Sequence, residues 1–282
     1  MKISIDSTIN KGGSNVMKIL YDEMSWPEVK EAVKDKRVPL IPVGSTEQHG
    51  PHLPTKTDAF LAYEVCRAAA ARIPEVSVVM PSVNYGYNEH HLDFPATIHI
   101  DYETLIKFVL NIGKSLAHHG FERIIIVNGH GSNTAPMELA ARRITLETPA
   151  ICASLTYLTF NPEVFKLLEG ESGHAGELET SLMLYLAPKL VDESKARRNW
   201  RFPRSKFIKW GIEKGGESFA VAGGRVQFMD WWSRISSTGV IGDPTKASPE
   251  KGEKAFKLYV EALGEFVQEF RSRQIPKRKD YH

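Results

Sequence analysis

The run Ile124-Ile125-Ile126-Val127 most narrows what this chain can become. It is short, continuous and β-branched, so it reads as a strand, and its apolar character on both faces demands cover from both sides. A strand buried in that way belongs in a parallel sheet between helices. Directly after it come Asn128-Gly129-His130-Gly131-Ser132-Asn133 and a helical pattern from Met137 to Leu146. Strand, Gly-rich turn and helix in this order place a side chain at the carboxyl edge of a sheet. The glycines match no phosphate-binding fingerprint, since GxGxxG and a Lys-Ser/Thr pair are both missing. Their expected use is to let the backbone turn sharply around His130.

Further apolar runs at Val38–Val43, Val76–Met80 and Ala150–Leu155 read as strands, and helical patterns lie between them. Ser25 is a candidate N-cap, with Pro27 just inside a helix from Trp26 to Val33. Asp58 opens a pattern with Leu61, Val65, Ala68, Ala69 and Ile73 at helical spacing, and Asp101 caps another helix through His118. Leu182 to Leu186 is a short apolar helix stopped by Pro188, and Pro249 starts a closing helix to about Phe270. The alternation predicts an α/β fold with a mainly parallel sheet. Residues 18–282 are expected to form one domain, preceded by a disordered leader at 1–17 in which Met17 is an alternative start. Between Lys189 and Pro244 the periodicity fades. Trp200, Trp210, Trp231 and Trp232 appear there with Gly215, Gly216, Gly223 and Gly224, which suits a lid or a subunit interface.

A net charge of +2 gives no reason to expect a nucleic-acid partner. No apolar run approaches the roughly 20 residues that span a bilayer, so no membrane partner is expected. Two cysteines, Cys66 and Cys152, make no disulfide framework and fit a reducing, cytoplasmic setting.

The candidate chemistry gathers at strand ends. The loop Gly44 to Asp58, GSTEQHGPHLPTKTD, interleaves Glu47, His49, His52 and Asp58 with Gly50, Pro51 and Pro54. Two prolines stiffen such a loop and keep it out of regular structure, which suits the holding of ligands. Asp58 reads as a helix N-cap, as a metal ligand, or as both. A second loop, Val83 to Ile98, holds Glu89, His90 and His91, and Ser172 to Ser181 holds His174, Glu177 and Glu179. Strand carboxyl ends lie together in a parallel sheet, so Glu47/His49/Asp58, His130 and His174/Glu179 can meet in one crevice. Two imidazoles and three carboxylates suit a pair of divalent ions. Three carboxylates overcharge one such ion, whereas two ions leave a single positive charge that one hydroxide neutralises.

GSTEQHGPHLPTKTD, the loop ending HLDFPATI, VNGHGSN and GHAGELETS, in this order, resemble the creatininase (creatinine amidohydrolase) superfamily. The resemblance runs from about Val38 to Pro188. It implies an α/β/α three-layer fold, a binuclear site for Zn²⁺ and/or Mn²⁺ (Fe²⁺ is also admissible), hydrolysis of an amide-like C–N bond, and a hexamer. Carried over by position, Glu47 and His130 resemble ligands of one ion, His49 a ligand of the other, and Asp58 the bridge. Ser132 stands where creatininase itself has a glutamate ligand, so the fifth ligand is expected at Glu179, with Glu177 as the alternative. His174 matches a catalytic histidine, but Gly173 replaces creatininase's glutamate beside it, and creatinine is not the expected substrate. The expected activity is cleavage of a small amide, cyclic or not, or of a formamide, by hydroxide formed from water between the ions. His174 would shuttle the proton to the leaving nitrogen. Glu89 and His91 are expected to orient the substrate, and Trp231 or Trp232 to close over it. A lactonase acting on a small sugar-acid lactone is the near alternative, and a metal-bound scaffold without turnover is the rival of another class.

Overall fold

Ile124 and Ile126 pack into one apolar cluster and Ile125 and Val127 into another, on opposite faces of one sheet. The computed structural model describes residues 17–199 and 229–282, together with the short strands Thr8–Ile9, Gly211–Ile212 and Ser218–Phe219. In chain order the strands are β1 (Thr8–Ile9), β2 (Met17–Lys18), β3 (Val38–Val43), β4 (Ser77–Val79), β5 (Arg123–Asn128), β6 (Ile151–Thr156), β7 (Ser172–His174), β8 (Gly211–Ile212), β9 (Ser218–Phe219) and β10 (Ile241–Gly242). The helices are α1 (Trp26–Lys34), α2 (Thr57–Arg72), α3 (Tyr102–His118), α4 (Thr134–Glu147), α5 (Tyr157–Phe160), α6 (Glu177–Leu186), α7 (Trp232–Ile235) and α8 (Pro249–Ser272).

The main sheet is parallel, in the order β4-β3-β5-β6. One face packs against α2, α6 and α8 through Leu61, Leu182, Phe256 and Tyr259. The other packs against α1, α3 and α4 through Ala32, Val109, Met137 and Ile144. The three-layer α/β/α arrangement expected from runs apolar on both faces is therefore the one observed. The chain runs from β3 outward to β4 and then returns to the other side of β3 as β5. Their carboxyl ends meet in register, Val43 opposite Asn128. Such a reversal of strand order opens a crevice beyond the strand ends.

The antiparallel sheet β10-β7-β8-β9 was not foreseen, and it seats His174 opposite Ile241. Three helix starts differ from expectation. Lys56, not Asp58, is the N-cap of α2, which leaves the Asp58 carboxylate free to turn inward. Helix α4 begins at Thr134, ahead of its first apolar periodic residue, and α6 at Glu177, since the first turn of α6 buries polar residues that periodicity does not register. Within the expected leader, β1 pairs antiparallel with β2, and the rest of residues 1–16 lies outside the described residues. Trp200, Trp210, Gly215, Gly216, Gly223 and Gly224 also lie outside them. No helix among the described residues is long and apolar enough to cross a membrane.

Candidate metal centre

The loop after β3 and the turn after β5 converge on the amino-terminal end of α2. Neither Gly129 nor Gly131 adopts positive φ, so the expected sharp turn is not why they are glycine. A Cβ at Gly129 would lie 2.6 Å from the Asp58 carbonyl oxygen, and its absence lets α2 approach β5. Asn128 secures the turn, accepting from His130 N at 3.1 Å and donating to His130 O at 2.7 Å.

Glu47, His49, Asp58, His130 and Glu179 meet in this crevice, all buried. Asp58 turns its two oxygens to two rings: Oδ1 lies 3.0 Å from His49 Nε2, and Oδ2 lies 3.0 Å from His130 Nδ1. Glu47 Oε2 is 3.2 Å from the same His130 nitrogen, and Glu179 Oε1 is 3.8 Å from His49 Nε2. Despite this closeness, both Glu47 oxygens, Asp58 Oδ2 and His49 Nε2 make no hydrogen bond. Backbone carbonyls explain why. His130 Nε2 lies 3.1 Å from Tyr87 O and His49 Nδ1 lies 3.3 Å from Glu47 O. A carbonyl only accepts, so each of those nitrogens carries a hydrogen, and the opposite nitrogens, turned to the carboxylates, are the ones left for a proton or a metal ion. Lone pair set against lone pair in a buried site calls for a cation between them. The donor set therefore fits divalent metal.

The electrostatics point the same way. Burial alone would depress the His130 imidazole, but Glu47 and Asp58 outweigh it and hold that group up to about 10. Burial likewise opposes charge on His49, and Asp58 with Glu179 holds it well above its ordinary value. Burial would raise the Asp58 carboxyl, yet His49 and His130 hold it well below the carboxylate range. Positive charge is wanted at the centre of the cluster, as protons or as metal.

His174 and His91 flank the set. His174 Nδ1 is 3.7 Å from Glu47 Oε1, and His91 Nε2 is 3.6 Å from the same oxygen. Burial and the neighbouring imidazoles depress both rings well below the ordinary histidine value. Potential donor trios include Glu47/His49/Asp58, His49/His174/Glu179 and Glu47/His91/His174, each with its atoms within 4.8 Å. The Trp232 ring lies 4.3 Å from that of His91 and 5.2 Å from that of His174, centroid to centroid. Trp231 is instead 39% exposed, and Glu89 is exposed outside the cluster.

Glu177, the alternative to Glu179, is committed elsewhere. It takes Lys251 Nζ at 2.6 Å and accepts from Gly170 N at 2.6 Å. Glu179 is steadied by Ala175 N, which donates to Oε2 at 2.6 Å, Ala175 itself sitting at φ 49°. Ser132 faces His90, Oγ to Nε2 at 3.3 Å. His52 bonds Thr180 Oγ1 at 2.9 Å and ties the loop to α6. Sequence reasoning did not single out Gln48, whose amide lies between His91 and His174; a neutral side chain gives no ligand signal.

A model of the creatininase family, described as creatinine amidohydrolase, matches residues 22–267. A mycofactocin precursor peptide peptidase from Mycobacterium tuberculosis is 31% identical over 236 residues, 79% of this chain and 81% of the relative. A creatinine amidohydrolase from Pseudomonas putida is 30% identical over 271 residues, 89% of this chain and 96% of the relative. A solved structure described as creatininase Mn superposes with a TM-score of 0.71 at 30% identity, covering 89% of this chain and 98% of that one. With the three-layer sheet and four motif segments at one crevice, these matches establish that the chain belongs to the creatininase family.

Proposed function

We propose that this hydrolase cleaves the C–N bond of a small amide or formamide, using two divalent ions. Glu47, Asp58 and His130 would hold one ion; His49, Asp58 and Glu179 would hold the other. The single observation that carries the reading is Asp58, whose two oxygens each oppose a different imidazole nitrogen, the other nitrogen of each ring being taken by a backbone carbonyl. Zinc and manganese both suit these ligands, and iron(II) is admissible. When bound, such ions acidify water and polarise a carbonyl oxygen.

The rest of the chemistry falls to the chain. His174 turns Nδ1 toward Glu47, where it can take a proton and pass it to a leaving nitrogen. His91 lies beside it for orienting substrate, and the buried Trp232 ring covers both imidazoles against water. The similarity to relatives named for a creatinine amidohydrolase and for a peptide peptidase supports amide cleavage without choosing a substrate. Apolar side chains exposed on α3 and α4, Tyr102, Phe108, Leu139 and Leu146, support self-association, the hexamer being the expected form. A cytoplasmic location belongs to the same reading.

The test is elemental analysis of purified protein combined with turnover on a panel of amides, formamides and lactones. Two ions per chain and amide turnover are expected. Turnover of lactones alone would replace the reading with the lactonase. Metal without any turnover would leave the scaffold.

A further inference from the structure

Gln48 is buried between Glu47 and His49, and its amide reaches two rings and one carbonyl. Nε2 lies 2.8 Å from His91 Nδ1, 3.0 Å from His174 Nε2 and 3.2 Å from Gly239 O. Gly50 N donates to Oε1 at 2.9 Å, which fixes the amide's orientation. Turned over, it would set donor against donor at Gly50 and oxygen against oxygen at Gly239.

Two amide hydrogens thus face three neighbours, and one neighbour can be eliminated. His174 Nε2 is 2.8 Å from Gln48's own backbone oxygen, which only accepts. That nitrogen therefore carries a hydrogen and cannot receive one. The amide hydrogens go to His91 Nδ1 and Gly239 O. His91 is left bare at Nδ1 and protonated at Nε2, the nitrogen 3.6 Å from Glu47 Oε1. His174 holds the same tautomer but turns its other nitrogen inward, Nδ1, free to accept and 3.7 Å from the same oxygen.

We propose that Gln48 is a positioning residue that holds His91 and His174 both as the Nε2–H tautomer while they turn different nitrogens to Glu47, so that His91 donates through Nε2 and His174 accepts through Nδ1. A hydrogen on Nε2 also bars that His91 nitrogen from ligating metal, although its distance from Glu47 would permit it. The donor and acceptor together complement a group offering both C=O and N–H, which an amide has and a lactone lacks. This consequence rests on the hydrolase reading above; the tautomers themselves do not.

Gly239 belongs to the device. It sits at φ +82°, and a Cβ there would overlap Gln48 Oε1. Its carbonyl also accepts from Trp232 Nε1 at 2.8 Å, which ties the ring covering both histidines to the same point.

Nitrogen-15 NMR of the histidine rings in zinc-loaded protein tests the assignment. The expected result is a hydrogen on Nε2 of both rings, with His91 Nδ1 bare. Gln48→Glu keeps the shape but puts an acceptor where the amide donated, so it should move the His91 hydrogen onto Nδ1. Metal content should hold, and kcat on the best amide should fall about 10²-fold, the order for one lost oxyanion-type donor. Gly239→Ala, which displaces the amide without changing its chemistry, should disturb the same two rings. A hydrogen on His91 Nδ1 in the unaltered protein overturns the proposal, as does a His91 tautomer unmoved by Gln48→Glu. The unaltered protein decides the matter even where a variant fails to fold. The predicted tautomers without amide turnover would sink the amide-cleaving reading and leave this one; amide turnover with the His91 hydrogen on Nδ1 would do the reverse.

Discussion

His130 turns Nδ1 to Asp58 Oδ2 at 3.0 Å because its other nitrogen, Nε2, donates to the Tyr87 carbonyl. His49 meets the other Asp58 oxygen in the same way, so a change at Asp58 reaches both halves of the centre. Asp58→Ala should therefore remove more metal than His49→Ala or His130→Ala. Elemental analysis gives the stoichiometries, and equal losses in the three variants would rule out a shared carboxylate.

Glu177 and Glu179 lie two positions apart on α6 and should respond differently. Glu179→Gln should lower metal content, because Glu179 faces His49. Glu177→Gln should keep the metal but lose the charge that pairs with Lys251, at a cost of about 1–3 kcal/mol of stability. Thermal melts with metal analysis separate the two; metal loss from Glu177→Gln would reverse the assignment.

His174→Asn removes the candidate proton carrier and leaves the five candidate ligands in place. Metal content should stay the same while the chemical step slows about 10²–10⁴-fold. Loss of one metal equivalent would instead make His174 a ligand, as the trio with His49 and Glu179 allows.

Creatinine should be a poor substrate, because Gly173 offers no side chain next to His174. Steady-state turnover of creatinine equal to that of the best amide in the panel would contradict this.

Glu28 provides a pH test away from the centre. It accepts from Ser25 N at 2.6 Å and Ser25 Oγ at 2.7 Å at the start of α1, and those bonds lower it from 4.5 to about 2. A folded-state value below the unfolded one means the contribution is full above about 4.5 and fades as pH falls through about 2. Glu28→Gln should thus melt slightly below the parent at neutral pH and level with it near pH 2. A difference that persists undiminished in acid would refute the linkage.

The main sheet was legible because Val38–Val43 and Ile124–Val127 are apolar on both faces, a pattern that only cover from both sides satisfies. Likewise, the strand-end positions of Glu47, His49 and His130 follow from chain order alone. The start of α6 was not legible, since Glu177, Glu179, Thr180 and Ser181 are buried for what they bond rather than for their hydrophobicity. Strand β7 is three residues of Ser, Gly and His, too short and too polar to show a period of two. The ring hydrogens on His49 and His130 depend on which carbonyls lie nearby, and no spacing in the sequence encodes that. Gln48 is neutral, so nothing in the sequence marks it as part of the site.

Lys251 gives the last long helix a part in assembling the centre. Every candidate ligand precedes residue 180, yet Glu177 at the foot of α6 is fastened from α8 by Lys251, and α8 supplies Phe256, Tyr259 and Leu263 to the same apolar layer. During synthesis, the ligands are thus translated well before the helix that braces them leaves the ribosome. A nascent chain halted ahead of Pro249 would contain all five candidate ligand side chains but lack the support under α6. The packing that holds α6 in place is accordingly completed late in the life of the polypeptide, by residues translated after every candidate ligand.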